Sequence, residues 1–195
     1  MKNQYSGKIK NIKIPYYTAD IKDGYIQNKV GNVFRGQGEI LSFGPEYNSV
    51  YVLSNPKDSN INLFLRTLMY TNLSPTSMGV NVIYYGEVNG DLIKSCNVAN
   101  GNTTYQNLKS ISSIYSGSNV KINCGVTVCT YSIQGYSTYR APINGSLLLA
   151  PGMNHIIEVF PINCNQLGYG VVGFDWWEEP IQNIVESDLS DSINS

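Results

Sequence analysis

Residues 168–180 read GYGVVGFDWWEEP and contain the strand that decides the fold. Alternate side chains of a β-strand point to opposite faces, so Val172, Phe174 and Trp176 share one apolar face. The opposite face holds Tyr169, Val171, Asp175 and Trp177. Pro180 has no N–H for a ladder and ends the strand. We expect the first face to close a hydrophobic core, and the second to place the Trp177 ring where water or a partner meets it.

Short strand-like runs separated by Gly, Pro and Asn turn signals precede this stretch. No segment shows a sustained helical period, apart from a weak one in the tail. Eight or nine such strands predict an all-β protein, an antiparallel β-sandwich or jelly roll with an N-terminal arm. We expect residues 97–118 to form a long surface loop, with a short strand or turn near Leu108 as an alternative within it. The other runs are 38–43, 49–53, 61–70, 79–86, 119–133, 146–150 and 155–160.

The run 119–133 has the cleanest alternation in the chain. Its apolar set predicts a buried face, with Cys124 as a small core residue. This apolar set is Val120, Ile122, Cys124, Val126 and Val128. The polar set, which includes Cys129 and Tyr131, is expected to face away from the core.

The composition predicts three segments. Residues 1–36 are a basic N-terminal arm or peripheral strand, with the alternative that the arm docks on a neighbouring subunit. Residues 37–180 form the sandwich, and 181–195 form an acidic tail. Lysines of the arm that could contact a partner are Lys8, Lys10 and Lys13.

The charge content excludes several function classes. The net charge is -1 and only 14% of residues are charged. Nucleic-acid binding needs a basic face, so we expect no nucleic-acid partner. The sequence shows neither a signal peptide nor an apolar run of membrane-span length, so we expect synthesis in the cytoplasm and no membrane partner.

Few residues could carry chemistry. His155 is the single histidine, and nothing near it in sequence supplies a nucleophile or an orienting acid. Asp175 and Glu178 point to opposite faces of their strand, which does not build a glycosidase pair. No cysteine pair has zinc-site spacing, and no glycine loop leads into a helix. We expect neither an enzyme nor a cofactor or metal site.

The four cysteines leave two interpretations open. Cys124 and Cys129 would face opposite ways in one continuous strand and should not pair. The thiols either stay reduced in a reducing compartment, or some of them cross-link subunits after the protein leaves it. Candidates for such a cross-link are Cys96, Cys129 and Cys164.

Aromatic side chains suggest a glycan partner as an alternative. Flat rings stack on pyranoses, although tyrosines in strands usually serve packing. The rings that could do so are Trp177, Tyr136, Tyr139 and the Tyr84–Tyr85 pair.

Several motifs resemble those of a known group. FG near residue 43, NP at 55, NLF at 62, TN at 71, APG at 150 and the closing GFDWWEE resemble an uncharacterised family of small proteins from spore-forming Firmicutes, which ends in a GFxWWEE signature. The resemblance covers residues 36–179. More loosely, the chain is similar to the jelly-roll subunits of bacterial spore appendages, which implies self-assembly through an N-terminal arm and often through intersubunit disulfides.

These observations lead to one hypothesis and two alternatives. The chain is expected to be a non-enzymatic, self-assembling structural subunit, a homo-oligomer or homopolymer of a spore-surface appendage or layer. The alternatives are a phage virion or tail subunit and a carbohydrate-binding module. Trp177, Tyr169 and Asp175 would belong to the contact surface of the assembly.

Overall fold

A computed structural model describes residues 26–163 and 165–181. Several features expected from the sequence lie outside these residues: Lys8, Lys10 and Lys13 of the arm, Cys164, and residues 182–195 of the acidic tail. Within the described residues, no helix has the length and apolar character that a membrane span requires.

The described residues form twelve strands, one 3₁₀ turn over Thr103–Tyr105 and a short helical turn at 26–29. Polar and glycine-rich turns separate short runs of β-branched and aromatic residues, as is typical of an all-β chain. The strands are β1 Val33–Gln37, β2 Leu41–Phe43, β3 Ser49–Ser54, β4 Ile61–Asn72, β5 Met78–Asn89, β6 Ile93–Lys94, β7 Val98–Asn100, β8 Ser113–Ser118, β9 Lys121–Ile133, β10 Thr138–Leu149, β11 Asn154–Pro161 and β12 Gly168–Pro180.

The strands make two antiparallel sheets of six strands each. The first sheet has the order β10-β4-β12-β1-β7, with β2 also paired to β12. The second has the order β6-β8-β3-β11-β5-β9. The all-β antiparallel fold expected from the sequence is therefore confirmed.

The main core lies between the two sheets. The inner face of β12 supplies Val172, Phe174 and Trp176, all fully buried, which confirms the face assigned from the sequence. Tyr51 and Leu53 on β3 reach the same core from the second sheet. Full burial of one such side chain stabilises the fold by about 1.5–3 kcal/mol.

A smaller apolar cluster covers the outer face of the second sheet. Val50, Val52 and Ile156 alternate along their strands with residues of the main core, so they point outward. Positive φ angles at Tyr85, Cys124 and Gly125 coincide with irregular pairing of β5 and β9. This irregularity bends the two-stranded ribbon of β5 and β9. The part of the ribbon beyond the bend, which includes Val88, Val120 and Ile122, packs over Val50, Val52 and Ile156.

The strand count exceeds the eight or nine expected. Residues 97–118 are not one long loop, because they contain β7, the 3₁₀ turn and all of β8. Similarly, β10 begins at Thr138 rather than near residue 146, because a bulge between Pro142 and Leu147 lets one strand continue through a glycine-containing stretch.

The face assignment of the run 119–133 was wrong from residue 124 onward, whereas Val120 and Ile122 pack in the smaller apolar cluster as expected. Val126 and Val128 are 56% and 47% exposed, and Cys124 is also exposed. Cys129 and Tyr131, expected to face outward, instead pack against the main core. An extra residue near Val128 shifts the register with β5, and positive φ angles at Cys124 and Gly125 interrupt the extended backbone. A period of two therefore does not hold along the whole strand.

Residues 26–36 are attached to the sandwich. The segment 33–36, which the sequence analysis included in the arm or peripheral strand, lies in β1 between β12 and β7. Gln27 donates from Nε2 to Glu179 Oε1 at 2.7 Å. Residue 26 therefore lies near the end of β12.

Candidate functional site

The Trp177 ring on the outer face of β12 is covered by its own chain. Phe64 on the neighbouring β4 stacks on it, with ring centroids 5.0 Å apart and planes inclined by 7°. Gly145, in the β10 bulge, lies so close that a Cβ there would meet the ring at 2.1 Å. Only 9% of Trp177 is exposed, so it offers no open ring for a partner or a sugar.

Asp175, two residues earlier on the same face, is the centre of an arginine cluster. Arg35 is its direct cross-strand partner on β1, with Nε 3.5 Å from Oδ2. Arg66 is the extra residue of a β4 bulge and places Nη1 3.5 Å from Oδ1. Arg140 on β10 acts on the same carboxyl group through its charge. We call Asp175 with Arg35, Arg66 and Arg140 the arginine cluster.

Burial governs the titration of Asp175. The residue is only 4% exposed. This desolvation raises the pKa of its carboxyl above the ordinary value, although the charges of Arg66, Arg35 and Arg140 act in the lowering direction.

Glu178, the other carboxylate considered for catalysis, and Glu158 belong to separate hydrogen-bond networks. Glu178 is 6% exposed and accepts bonds from Ser110, Ile111, Ser112 and Trp176. Glu158 accepts bonds from Asn48 and Asn81 on the outer side of the second sheet. Each carboxylate therefore holds neighbouring polar groups in place.

His155 lies on the inner face of β11 and is 1% exposed. Neither ring nitrogen has a hydrogen-bond partner among the described residues. The ring packs against Tyr84, with centroids 5.5 Å apart. Burial lowers its pKa to about 4, so the ring is neutral at pH 7.

A groove of ≈ 540 Å³ opens above Tyr84 between the two sheets. Tyr85 lies at its wall and is 76% exposed. Leu147, Leu148 and Met153 line the remaining apolar surface. Of the other rings considered for sugar stacking, Tyr136 is 74% exposed, whereas Tyr139 packs against Tyr70 and Tyr131.

The cysteines described by the structure are free thiols. Cys96 and Cys124 are exposed, and Cys129 is partly buried beside Tyr131. The expectation that Cys124 and Cys129 do not pair is confirmed. The placement of Cys124 in the core was wrong: the residue is exposed, and positive φ angles at Cys124 and Gly125 interrupt the alternation of β9 there.

The four outer edges of the sheets differ in how they are protected. Strands β6 and β7 have only two and three residues. Strand β10 carries Arg140, Pro142 and a bulge. Strand β9 has thirteen residues, a single charged residue, Lys121, and one register shift near Val128 in its pairing with β5. It is the longest of these edges and, unlike β10, it contains no proline. Charge is a common guard against strand addition, and one charged residue over thirteen positions gives β9 little of it.

Among residues 26–163 and 165–181, no group of three or more His, Cys, Asp or Glu side chains is arranged to hold a metal ion.

Three of the residues expected at a contact surface, Tyr169, Asp175 and Trp177, lie on the same outer face of β12. Tyr169 is 48% exposed there, whereas Asp175 and Trp177 are buried by neighbours. The sequence analysis missed Arg35, Arg66 and Arg140. The sequence offers one signal for them: they are the only arginines of the chain, and the other strongly basic residues are lysines.

Comparisons with known proteins give a family without a function. No curated protein and no solved structure matched the chain. The model of a "Family of unknown function (DUF6143)" matches residues 8–183, which include both sheets. The chain therefore belongs to the DUF6143 family.

Proposed function

We propose that the chain is a self-assembling structural subunit that extends its second sheet by adding a strand at β9. The observation that carries this proposal is the β9 edge, which pairs only with β5 in the described structure and has one charged residue over thirteen positions. Val126 and Val128 are exposed along it. An incoming strand would satisfy free backbone groups and cover these valines.

The strand that we propose adds to β9 belongs to the N-terminal arm of a second copy. Gln27 holds the start of the described chain to Glu179, at the end of β12. The 25 residues before Ile26 can span at most about 85 Å, about twice the length of a twelve-residue strand such as β4. The arm is therefore long enough to reach a neighbouring subunit.

The resemblance to the Firmicutes spore-former family and to spore-appendage subunits supports a spore-surface layer or appendage as the host structure. A cross-link through cysteine would add covalent strength. Cys96 is exposed in a loop, and Cys124 is exposed in β9 itself, so these two suit an intersubunit disulfide better than Cys129 does.

Electron microscopy of the tag-cleaved protein at rising concentration, with and without reductant, tests this function. We expect regular filaments or sheets, lost on deletion of residues 1–20 and in a Val126→Lys/Val128→Lys variant. Ile40→Lys is the matched control, because Ile40 is 59% exposed outside the strands. A strictly monomeric wild type would refute self-assembly, and normal polymers from the β9 variant would refute this edge as the contact.

A carbohydrate-binding module is the second candidate, and the groove beside Tyr85 is the observation that favours it. An exposed ring next to an apolar wall suits stacking on a sugar. Saturable glycan binding by a monomer that Tyr85→Ala abolishes would favour this function. Trp177→Ala would not test it, because Phe64 covers that ring.

A further inference from the structure

The arginine cluster gathers every arginine of the chain at one place. Positions 35, 66 and 140 are far apart in sequence, and strand pairing brings them to the outer face of the first sheet. The cluster lies on the sheet that does not contain β9, so it is independent of the proposed assembly edge.

The cluster has more positive charge than Asp175 requires. Three guanidinium groups face one carboxylate, which leaves a local charge of +2 on a chain whose net charge is -1. One arginine would suffice to pair with Asp175. The others repel one another, which costs stability unless a further anion lies among them.

The guanidinium groups are accessible, whereas the carboxylate is not. The side chains of Arg35 and Arg66 are 60% and 27% exposed, against 5% for Asp175. Arg140 is exposed as well. Asp175 therefore lies on the buried side of the cluster, and the three arginines form its solvent-exposed side.

Most N–H donors of these groups have no acceptor within residues 26–163 and 165–181. A guanidinium has five N–H donors in a planar fork. The ion pairs of Arg35 and Arg66 with Asp175 each use one nitrogen, at 3.5 Å. Arg140 makes no ion pair within 4 Å among the described residues. The remaining donors can bind an anion with several oxygens, in the bidentate manner that arginine favours.

We propose that the arginine cluster binds a phosphate group, either as free phosphate or as a small phosphate ester. A phosphate dianion matches the local charge of +2, and its oxygens can accept from more than one guanidinium. A single carboxylate would neutralise only half of this charge. A nucleic acid would need a longer basic surface than three arginines supply on this weakly charged chain.

Isothermal titration calorimetry at constant ionic strength tests the site, with inorganic phosphate, phenyl phosphate and acetate as separate titrants. We expect saturable binding of one phosphate per chain, and at least tenfold weaker binding of acetate. Tighter binding of phenyl phosphate than of inorganic phosphate would identify an ester as the ligand, and equal or weaker binding would identify free phosphate.

The Arg35→Gln/Arg140→Gln variant should bind phosphate at least tenfold more weakly. Arg140→Gln alone should weaken binding at least threefold, and this exposed residue contributes little to folding. Lys57→Gln/Lys94→Gln is the control, because it removes two exposed cations away from the cluster and should bind like the wild type. No saturable heat with the wild type, or unchanged affinity in both arginine variants, would overturn the proposal.

Discussion

The backbone of Gly145, which has a φ of +76°, packs directly against the Trp177 ring. The ring is held from another side by Phe64, so it cannot move aside easily. Two requirements therefore act on one residue: a left-handed backbone and the absence of a side chain.

Gly145→Ala should destabilise the protein by about 2–4 kcal/mol, because it combines a strained φ with overpacking against the indole. Urea unfolding, followed by circular dichroism, measures the change in the free energy of unfolding. Gly152→Ala is a matched control. Gly152 has a similar φ of +82°, but the nearest atom to an added Cβ is 3.7 Å away. It should cost only about 1–2 kcal/mol. Equal losses in the two variants would mean that the contact with Trp177 adds nothing.

The buried imidazole of His155 should make the protein less stable in acid. Its pKa is lowered to about 4 by burial, whereas an unfolded histidine titrates near 6.5. Between these values the unfolded state binds more protons, so the free energy of unfolding falls as the pH decreases from 6.5 to 4. The total loss from this group is about 3 kcal/mol.

His155→Leu should remove this contribution, and the chain has no second histidine to obscure it. Urea unfolding of both proteins at pH 4, 5, 6 and 7 gives the comparison. The difference in unfolding free energy between them should change by about 3 kcal/mol across the range. A difference that stays constant with pH would show that His155 titrates normally in the folded protein.

Glu178 should fix the segment 110–112 to β12. Its Oε1 accepts from Ser110, Ser112 and the Trp176 indole, and its Oε2 accepts from the Ile111 amide. Glu178→Gln places an amide NH₂ against one of these donors. We expect a loss of about 2–3 kcal/mol in stability and faster hydrogen exchange at the Ile111 and Ser112 amides.

Glu179→Gln serves as the control for this change. Glu179 accepts from Gln27 and Trp177 through Oε1 alone, and glutamine keeps that acceptor. It should therefore cost much less than Glu178→Gln. Unchanged exchange at Ile111 in the Glu178 variant would show that the carboxylate does not hold the segment.

The sequence predicted β12 well because the extra residue in its pairing with β4, Arg66, lies on β4, so the alternation of β12 itself is unbroken. Val172, Phe174 and Trp176 alternate without interruption, and all three are buried in the core. The same reasoning failed for β9, where a register shift near Val128 and positive φ angles at Cys124 and Gly125 interrupt the alternation, and Val126 and Val128 are exposed. Gly125 was the available signal, since a glycine inside a strand often marks a bulge.

The cluster around Asp175 could not be predicted in the same way. It depends on β1, β4, β10 and β12 lying near one another, and this order follows from long-range pairing rather than from local periodicity. The cover over Trp177 has the same origin, because Phe64 and Gly145 come from two other strands of the sheet.

The thiols should differ in reactivity according to their exposure. Cys96 and Cys124 are exposed, whereas Cys129 packs against the main core near Tyr131. A brief treatment of the native protein with a maleimide should label Cys96 and Cys124 fully, before appreciable reaction at Cys129. Peptide mass spectrometry measures each site, and labelling in urea, where all sites should react alike, is the control.

Early labelling of Cys129 would show that the β9 segment around it opens readily. Protection of Cys124 in the polymer but not in the monomer would place this part of β9 in a subunit contact.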